Sequence, residues 1–401
     1  MKSSRQPVAS FLVMPVFSAS SAATFDSGTV GADGLVAVAM MRGPLGFLFV
    51  NDFLTPQGSV DAPKVIHESI PRNPPMHENC RFLGLFRPFE AVIHRLQRAR
   101  SVSRPRLIPT FTTAVNTWQC DENDHLNVQF YTEFGHEASA HLLAELGLGP
   151  RAQRAAALDV RAASDHIRYL REFREVDPVQ VLSAPVEVGD NHLLAYHEIR
   201  NPSDGTIAAT MRRRIVCDRP WPDTFRARAD AAIVALPDSA RPRSVGKLDL
   251  PDLALDDAAH RGLIDIGRSV IAPAECDERD EFLPHHLFGR YSDGAPLLWN
   301  HLGLDRAAMQ DRQEGSVVVE MLNHYRRPLR AGDLLVVMSG LAAFTDKVLT
   351  FTHFLFEAET GTLAACAEAI GMKLDQKIRK TMTFSREDQT RLADRQIRLA
   401  A

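Results

Sequence analysis

The chain has 401 residues, of which 45% are hydrophobic and 24% are charged, and its formal net charge is −4. This length allows two or three domains with sizeable cores, and the slightly acidic balance gives no electrostatic reason to expect a nucleic-acid partner. No apolar run reaches the ~18 residues that a membrane-spanning helix needs, so we expect neither nucleic acid nor a membrane as a partner.

The cysteine pattern indicates a reducing compartment. The five cysteines are scattered and none forms a CxxC pair; they are Cys80, Cys120, Cys217, Cys276 and Cys366. An odd, unpaired set argues against a disulfide framework or a zinc site. His136 and His141 are five residues apart, which rotates the second ring away from the face that a helical zinc pair shares. We therefore expect a cytoplasmic protein with no metal and no cofactor.

The chain contains an internal repeat with an offset of 156 residues. Asp121 aligns with Asp277 and, without a gap, His197 aligns with His353. Of the 92 positions from 120 to 211, 22 are identical to the residue 156 positions later, where chance would give roughly 6. The period is far longer than a solenoid repeat, so each copy is expected to be a whole domain.

Each copy predicts one strand, one long helix and then an antiparallel meander. In the first copy an extended segment, Phe111 to Trp118, precedes an Asp-rich turn. Apolar residues then recur every four positions, which is helical spacing; they are Phe130, Phe134, Ala138, Leu142 and Leu146. Four strand-like segments follow at about 158–170, 178–188, 192–200 and 206–217. This order predicts an α+β fold of two tandem domains, each a long helix wrapped by a curved antiparallel sheet.

The repeat also predicts the domain organisation. We expect a first domain at 106–218, which is the candidate catalytic one, and a second domain at 263–385. Between them, residues 219–262 form a linker rich in Pro, Arg and Asp, with a short helix near Thr224 to Val234. Residues 1–105 have no sustained period and are interpreted as an N-terminal extension of unknown fold, either poorly ordered or upstream of the functional start. Residues 386–401 predict a helical tail.

The turn before the first long helix carries a recognisable motif. It reads Asp121-Glu122-Asn123-Asp124-His125-Leu126-Asn127 and is followed by Tyr131. This segment resembles the 4-hydroxybenzoyl-CoA-thioesterase-like hotdog proteins, whose pattern is D-x-N-G-H-x-N and then an aromatic residue. The likeness covers about 110–218 well and about 263–385 mainly through the repeat. One departure is Asp124 at the glycine position, although Asp tolerates a left-handed turn better than most residues.

The resemblance implies a tandem hotdog fold, a dimer-like pairing of the two halves and hydrolysis of an acyl-CoA thioester. Pairing within one chain fits the length of the linker, and a homo-oligomer is a further option. Asp121 would be the base or nucleophile, with His125 and Asn127 as its catalytic partners. A carboxylate in this role suits thioester hydrolysis, and the unpaired N–H groups of a helix start can face the developing oxyanion.

Tyr131, Asn123 and Glu133 are the candidate substrate-binding residues. Simpler interpretations exist for two members of the motif. An Asp before a helix is often only an N-cap, and a lone Tyr is more often a core residue than a catalytic one.

The second copy departs from the motif and leaves two interpretations open. It keeps Asp277 but has Glu281 and Leu283 in place of His125 and Asn127. Its long helix also contains Pro284, Gly294 and Pro296, which should shorten or break it. We favour a degenerate half that completes the pocket. The alternative is a second site in which Asp277 works with His285 or His286.

Two other functions compete with the thioesterase interpretation. An enoyl-CoA hydratase or dehydratase would use the same fold, but such enzymes resemble a D-x-N-P-x-H pattern with the His five residues after the Asp. Asp121 and His125 are four apart, which disfavours that reaction. A non-catalytic acyl-CoA-binding module is the other option, because fold alone does not imply turnover.

Overall fold

The structure is a computed structural model that describes residues 27–28, 38–43, 46–51 and 106–399. The chain divides into two compact units, residues 1–89 and 90–401. In the first unit an antiparallel sheet contains, in this order, Ser27–Gly28 (β1), Val38–Gly43 (β2) and Gly46–Asn51 (β3). The rest of the predicted extension at 1–105 lies outside the described residues, so its order stays a prediction.

The second unit is built on one continuous antiparallel sheet. The first copy contributes Ile108–Ala114 (β4), Val160–Tyr169 (β5), Pro178–Val188 (β6), His192–Arg200 (β7) and Ile207–Cys217 (β8). The second contributes Ile264–Val270 (β9), Glu314–Tyr325 (β10), Leu334–Phe344 (β11), Val348–Glu357 (β12) and Thr362–Asp375 (β13), with Lys380–Thr381 (β14) beside β13. The order across the sheet is β4-β6-β7-β8-β5-β10-β13-β12-β11-β9, so the second copy runs through the same order in reverse.

The described helices follow the predicted pattern of one long helix in each copy. They are Val128–Glu145 (α1), Pro150–Ala155 (α2), Asp223–Ala231 (α3), Leu255–His260 (α4), Pro284–His301 (α5), Arg306–Asp311 (α6) and Arg386–Asp394 (α7). The short helix expected in the linker is α3. Within the described part of the chain, none of these helices has the length and apolarity to cross a membrane.

The two copies join through β5 and β10, which are the second strand of each copy in chain order. β5 and β10 are antiparallel, and the register places His166 opposite Leu322. These two residues are 156 positions apart, so they are equivalent, and a local two-fold axis passes between them. The two halves therefore pair within one chain.

Buried hydrophobic clusters fill the space between the sheet and the two long helices. Of the predicted helical stripe, Phe134 and Ala138 lie in the largest cluster with Phe130 packed against it, and Leu142 and Leu146 lie in a second cluster. The largest core cluster includes buried residues of both α1 and α5, with strand residues of both copies. The predicted α+β architecture of two tandem hotdog domains is confirmed, while the exact domain boundaries stay a prediction.

The prediction that the second helix is shortened or broken is wrong. α5 has 18 residues, as α1 has. Pro284 is its first residue, where no helical N–H is needed. At Gly294 a Cβ atom would lie 2.6 Å from the Ile266 carbonyl oxygen, so the glycine allows β9 to pack closely on the helix. Pro296 interrupts the hydrogen bond to the Ser292 carbonyl, and both residues line a cavity, where an unpaired carbonyl is tolerated.

The linker is held on the sheet by buried carboxylates. Glu320 accepts hydrogen bonds from the backbone N–H groups of Arg243 and Ser244, both at 2.8 Å, and lies 2.8 Å from His166 Nε2. Glu368 accepts from the Gly246 N–H at 2.7 Å. Glu320 is 3% exposed. Because a buried acceptor must be matched by donors, these bonds fix the course of the linker across the sheet.

We expect Glu320→Gln to destabilise the fold and loosen the linker. An amide turns one of the two accepting oxygens into a donor, so it faces a backbone N–H and leaves it unsatisfied, at a cost of about 1–3 kcal/mol. Urea unfolding measures this loss, and trypsin cleavage after Arg243 should become faster. Glu137→Gln, on the exposed face of α1, is the matched control and should change stability by less than about 0.5 kcal/mol. Equal stability of the two variants would contradict the proposed anchoring.

Candidate functional site

Two cavities of the second unit are related by the local two-fold axis. The first cavity, of about 520 Å³, lies between α5 and strands β10, β12 and β13, and the loop that begins at Asp121 lies at its polar end. The second cavity, of about 400 Å³, lies between α1 and strands β5 and β8, and it is bordered by the equivalent loop at Asp277. Each cavity thus combines the motif loop of one copy with the helix and sheet of the other.

The two cavities differ in chemistry. The deep part of the first one is lined by apolar side chains, namely Phe288, Leu298, Trp299, Val319, Met321 and Phe351. At the position equivalent to Met321 the second cavity region has Asp165, and at the position of Ala369 it has Arg213. Arg213 is 2% exposed and forms a two-pronged ion pair with Asp165, with distances of 2.7 and 2.6 Å. Charged side chains therefore occupy in the second cavity the space that is an apolar pocket in the first cavity.

The motif loop folds around the carboxylate of Asp121. Its Oδ1 accepts hydrogen bonds from the backbone N–H groups of Asn123, at 2.8 Å, and His125, at 3.3 Å. Asp124 has a φ of 58°, which is the left-handed conformation expected for the residue at the family's glycine position. Asp121 lines the first cavity, and its Oδ2 has no hydrogen-bond partner among the described residues.

His125 is buried beside the loop, but its ring does not contact Asp121. Its Nε2 lies 3.2 Å from Glu172 Oε2 and 3.4 Å from Arg174 Nη2. Among the described residues, the His125 ring forms no hydrogen bond with Asp121. Burial, together with the charges of Arg379 and Arg174, lowers the pKa of His125 to about 4. The imidazole is therefore neutral at physiological pH, and it forms part of the wall of the first cavity.

The remaining predicted residues fall into two groups. Tyr131 and Asn123 line the first cavity; the Tyr131 hydroxyl accepts from the Phe173 N–H at 3.1 Å, and Asn123 Oδ1 accepts from Gln376 Nε2 at 2.5 Å. Asn127 and Glu133 do not line it.

Asn127 is instead a helix cap that bridges the two copies. Its Oδ1 accepts from the Gln129 N–H at 3.0 Å, and its Nδ2 donates to Ser292 Oγ of the other copy at 3.0 Å. It therefore fixes the start of α1 against α5. Glu133 is half-buried on α1, and burial followed by the charge of Glu137 raises its pKa.

Sequence reasoning missed the charged residues around the open end of the first cavity. Arg171, Arg306 and Arg379 line it. Arg306 pairs with Glu122 and Arg379 pairs with Glu172, while the Arg171 guanidinium bonds only its neighbouring carbonyl at 3.0 Å. Arg171 belongs to the positions that the repeat conserves, since Arg327 is its counterpart, and this was the available signal. Arg306 and Arg379 come from the second copy, and no sequence pattern indicated them.

The second copy's aspartate is neutralised by its own loop. Asp277 accepts through Oδ1 from the N–H groups of Arg279 and Glu281, as Asp121 does from its counterparts. Its Oδ2, however, lies 3.1 Å from Arg279 Nε and 3.0 Å from Arg279 Nη2. Burial opposes ionisation, but the N–H groups of Glu281 and Arg279 and the Arg279 guanidinium together lower the pKa of Asp277. The first copy has Asn123 where the second has Arg279.

No metal site is evident from the side chains. Within residues that the structure describes, no group of three or more His, Cys, Asp or Glu side chains is placed to hold a metal ion.

Comparison with known families identifies the chain. The family described as the thioesterase-like superfamily matches residues 115–219 and 283–392, together more than half of the chain. The chain belongs to the thioesterase-like superfamily. The two matched segments fall in the two copies of the repeat, one in each. Among curated proteins, nothing matches this thioesterase-like chain significantly.

Solved structures resemble this chain at low sequence identity. A putative oleoyl thioesterase from Lactobacillus plantarum is 13% identical, with a TM-score of 0.52, over 67% of this chain and 97% of that one. The 12:0-ACP thioesterase from Umbellularia californica is 14% identical, with a TM-score of 0.49, over 66% of this chain and 93% of that one. At this level of identity the first likeness supports the fold alone.

We expect the stability of this thioesterase-like protein to fall steeply between pH 6.5 and 4. Four buried histidines have pKa values lowered by burial, to about 4 for His125 and His353 and about 3 for His197 and His285. Below pH 6.5 the unfolded chain binds protons that the folded chain does not, so each histidine removes about 1.4 kcal/mol of stability per pH unit. Urea midpoints across this range measure the effect. A flat profile, or histidine NMR signals that titrate near 6.5, would contradict it.

Proposed function

We propose that this protein is an acyl-CoA thioesterase that hydrolyses its substrate in the first cavity, with Asp121 as base or nucleophile. The observation that carries the proposal is the position of this carboxylate at the junction of an apolar pocket and a helix start. The acyl chain would occupy the pocket of the second copy. The resemblance of the motif loop to 4-hydroxybenzoyl-CoA-thioesterase-like proteins and membership of the superfamily support the same reaction.

The state of the Asp121 carboxylate suits either chemical role. One oxygen is fixed by two backbone N–H groups, which orients the carboxylate without neutralising it. The second oxygen is left to contact a water molecule or the thioester carbon. As a general base it would take a proton from the attacking water, the C–S bond would break, and the proton would pass to the leaving thiolate. As a nucleophile it would displace the thiolate and form a mixed anhydride, which water then hydrolyses to the free acid and the regenerated carboxylate.

The start of α1 supplies a donor for the oxyanion. The Gln129 N–H bonds the Asn127 side chain and the Phe130 N–H bonds the Asn127 carbonyl. The Val128 N–H has no acceptor among the described residues, and Val128 lines the first cavity. A backbone N–H at a helix start stabilises negative charge on a thioester oxygen. Asn127 would therefore act as a positioning residue through its cap rather than as a group that touches the substrate.

Arg171 favours an anionic carrier. Arg306 and Arg379 are paired with Glu122 and Glu172, but Arg171, which also lines the cavity, has no acidic partner among the described residues, and guanidinium groups bind phosphates well. Coenzyme A carries phosphates at the end remote from the thioester, so it suits this edge. Some proteins of similar fold are named for acyl-ACP substrates, and the carrier is thus a variable that the assay must include.

We expect Asp121→Asn to reduce kcat by roughly 10²–10⁴-fold, because the amide can neither accept the proton nor attack. Thiol release from short, branched, aromatic and long acyl-CoAs, with acyl-ACP in parallel, is the measurement. Asp277→Asn is the matched control, since it makes the same change in the equivalent loop, and it should leave kcat within about threefold of wild type. Binding of CoA esters without thiol release by the wild type would instead indicate a non-catalytic module.

A reciprocal exchange tests why only one loop is active. Asn123→Arg places a guanidinium where Arg279 holds Asp277, so it should reduce activity by roughly 10²-fold or more. Arg279→Asn releases Asp277, but the charged Arg213 and Asp165 still fill its pocket, so it should create no second activity in an Asp121→Asn background. Thiol release from the single and double variants measures both effects. Full activity of Asn123→Arg would overturn the role given to Asp121.

A further inference from the structure

Two equivalent histidines differ in how their ring nitrogens are bonded. His197 lies 2.7 Å from Ser183 Oγ through Nδ1 and 3.0 Å from Ser139 Oγ through Nε2. His353 lies 2.7 Å from Ser339 Oγ through Nδ1, and Ser339 is the counterpart of Ser183. The first histidine is thus satisfied at both nitrogens within its own copy.

The partner of the second ring nitrogen is missing in the other copy. The residue equivalent to Ser139 on α5 is Ala295, which has no hydrogen-bonding group. Nε2 of His353 therefore has no hydrogen-bond partner within residues 106–399. Ala295 and His353 both line the first cavity. Because the serine that bonds His197 lies at the helix position of Ala295, the unpartnered nitrogen is aimed at the cavity.

The ring is fixed in this orientation. His353 is 6% exposed, and its ring stacks on that of Tyr291 at 4.6 Å and 19°. The hydrogen bond to Ser339 holds the opposite side of the ring. An apolar ligand in the cavity would exclude water from Nε2 without replacing its hydrogen bond, whereas a ligand with a hydrogen-bonding group at this position would supply one.

We propose that the acyl group of the substrate carries a hydroxyl group that hydrogen-bonds Nε2 of His353. This inference rests on the proposed thioesterase function and adds the substrate class, a hydroxylated acyl chain. A hydroxyl group can donate or accept, so it matches either tautomer of a neutral imidazole. A carboxylate is a poorer match, because Leu298, Trp299 and Phe351 are uncharged and Arg306, whose guanidinium lies 6.0 Å from the centre of the Trp299 ring, is already paired with Glu122.

The position on α5 indicates that the hydroxyl group lies part-way along the acyl chain. Ser292 bonds Asn127 at the start of α1, close to the motif loop. Ala295 is three residues further, about 4.5 Å along the helix, and Trp299 is about 6 Å beyond that. The Trp299 and Phe351 rings, 5.9 Å apart, form the wall beyond His353, and the Arg306 guanidinium lies 6.0 Å from the Trp299 ring.

Matched acyl-CoA pairs test the proposal. Each pair has the same chain length, and one member carries a hydroxyl group at a successive position along the chain. We expect wild-type kcat/KM to be roughly tenfold higher for the hydroxylated member at one position, as expected for about 1.4 kcal/mol from one hydrogen bond. The gain should appear in KM when the bond is equally strong in the ground state and the transition state.

Exchange of the serine and alanine gives a pair of matched variants. Ala295→Ser supplies the intrachain partner that His197 has, so the preference for the hydroxylated member should fall below about threefold. Ser139→Ala makes the opposite change in the first copy, away from the first cavity, and should leave the preference as in the wild type. A preference that survives Ala295→Ser would overturn the assignment to His353.

The result separates this inference from the proposed function. Hydrolysis of both members at equal rates, for every hydroxyl position, overturns the inference and leaves the thioesterase proposal in place. If the wild type hydrolyses neither, the thioesterase proposal fails, and binding of non-hydrolysable thioether analogues of the same pairs becomes the readout. Equal Kd values for hydroxylated and plain analogues then reject the hydroxyl site, whereas a tenfold tighter hydroxylated analogue supports it.

Discussion

The antiparallel pairing of β5 with β10 is the constraint on which the rest of the structure depends. It joins two five-stranded sheets into one and centres their register on the equivalent residues His166 and Leu322. Because the axis runs through this pair, α1 and α5 lie side by side against the same sheet. Each motif loop is thereby brought to the open end of the other copy's pocket. Neither half alone has both a motif loop and the pocket it serves.

Duplication doubled the site, and a few substitutions made the two cavities different. A single loop position decides whether an arginine holds the second carboxylate oxygen, as Arg279 holds that of Asp277, or leaves it without a partner among the described residues, as for Asp121. On the sheet, the pair Arg213 and Asp165 takes the place of Ala369 and Met321. A buried ion pair is satisfied by its own members, so the second cavity has lost the apolar character that an acyl chain requires.

The same comparison explains the polar feature of the first cavity. Ala295 stands where the first copy has Ser139, so Nε2 of His353 has no protein partner among the described residues, while both ring nitrogens of the equivalent His197 are bonded. A ligand in the cavity can supply the bond that the protein does not. The first cavity thus combines an apolar wall with one directional contact, which is the usual composition of a selective small-molecule pocket.

The sequence determined the local features of this protein. Helical spacing located α1, turn signals separated the four strands, and the offset of 156 residues established two equivalent domains. The left-handed turn at Asp124 and the folding of the loop around Asp121 are also local, because they depend on residues within five positions of each other. The failed expectation for α5 shows the limit of such rules. Pro284 and Gly294 are harmless there because of their place in the helix and the close approach of β9.

Only the tertiary structure decided what surrounds the motif. The pocket that Asp121 faces belongs to residues more than 150 positions away, and no local pattern pairs them. In the folded chain, burial lowers the pKa of His125, and its ring contacts Glu172 rather than Asp121. Asn127 caps α1 and contacts the other copy. His353 occupies the repeat position of His197, yet one helix residue across the core, Ala295 in place of Ser139, gives the two rings different hydrogen bonds. Long-range packing set these properties, because burial and hydrogen-bond partners depend on where distant segments meet.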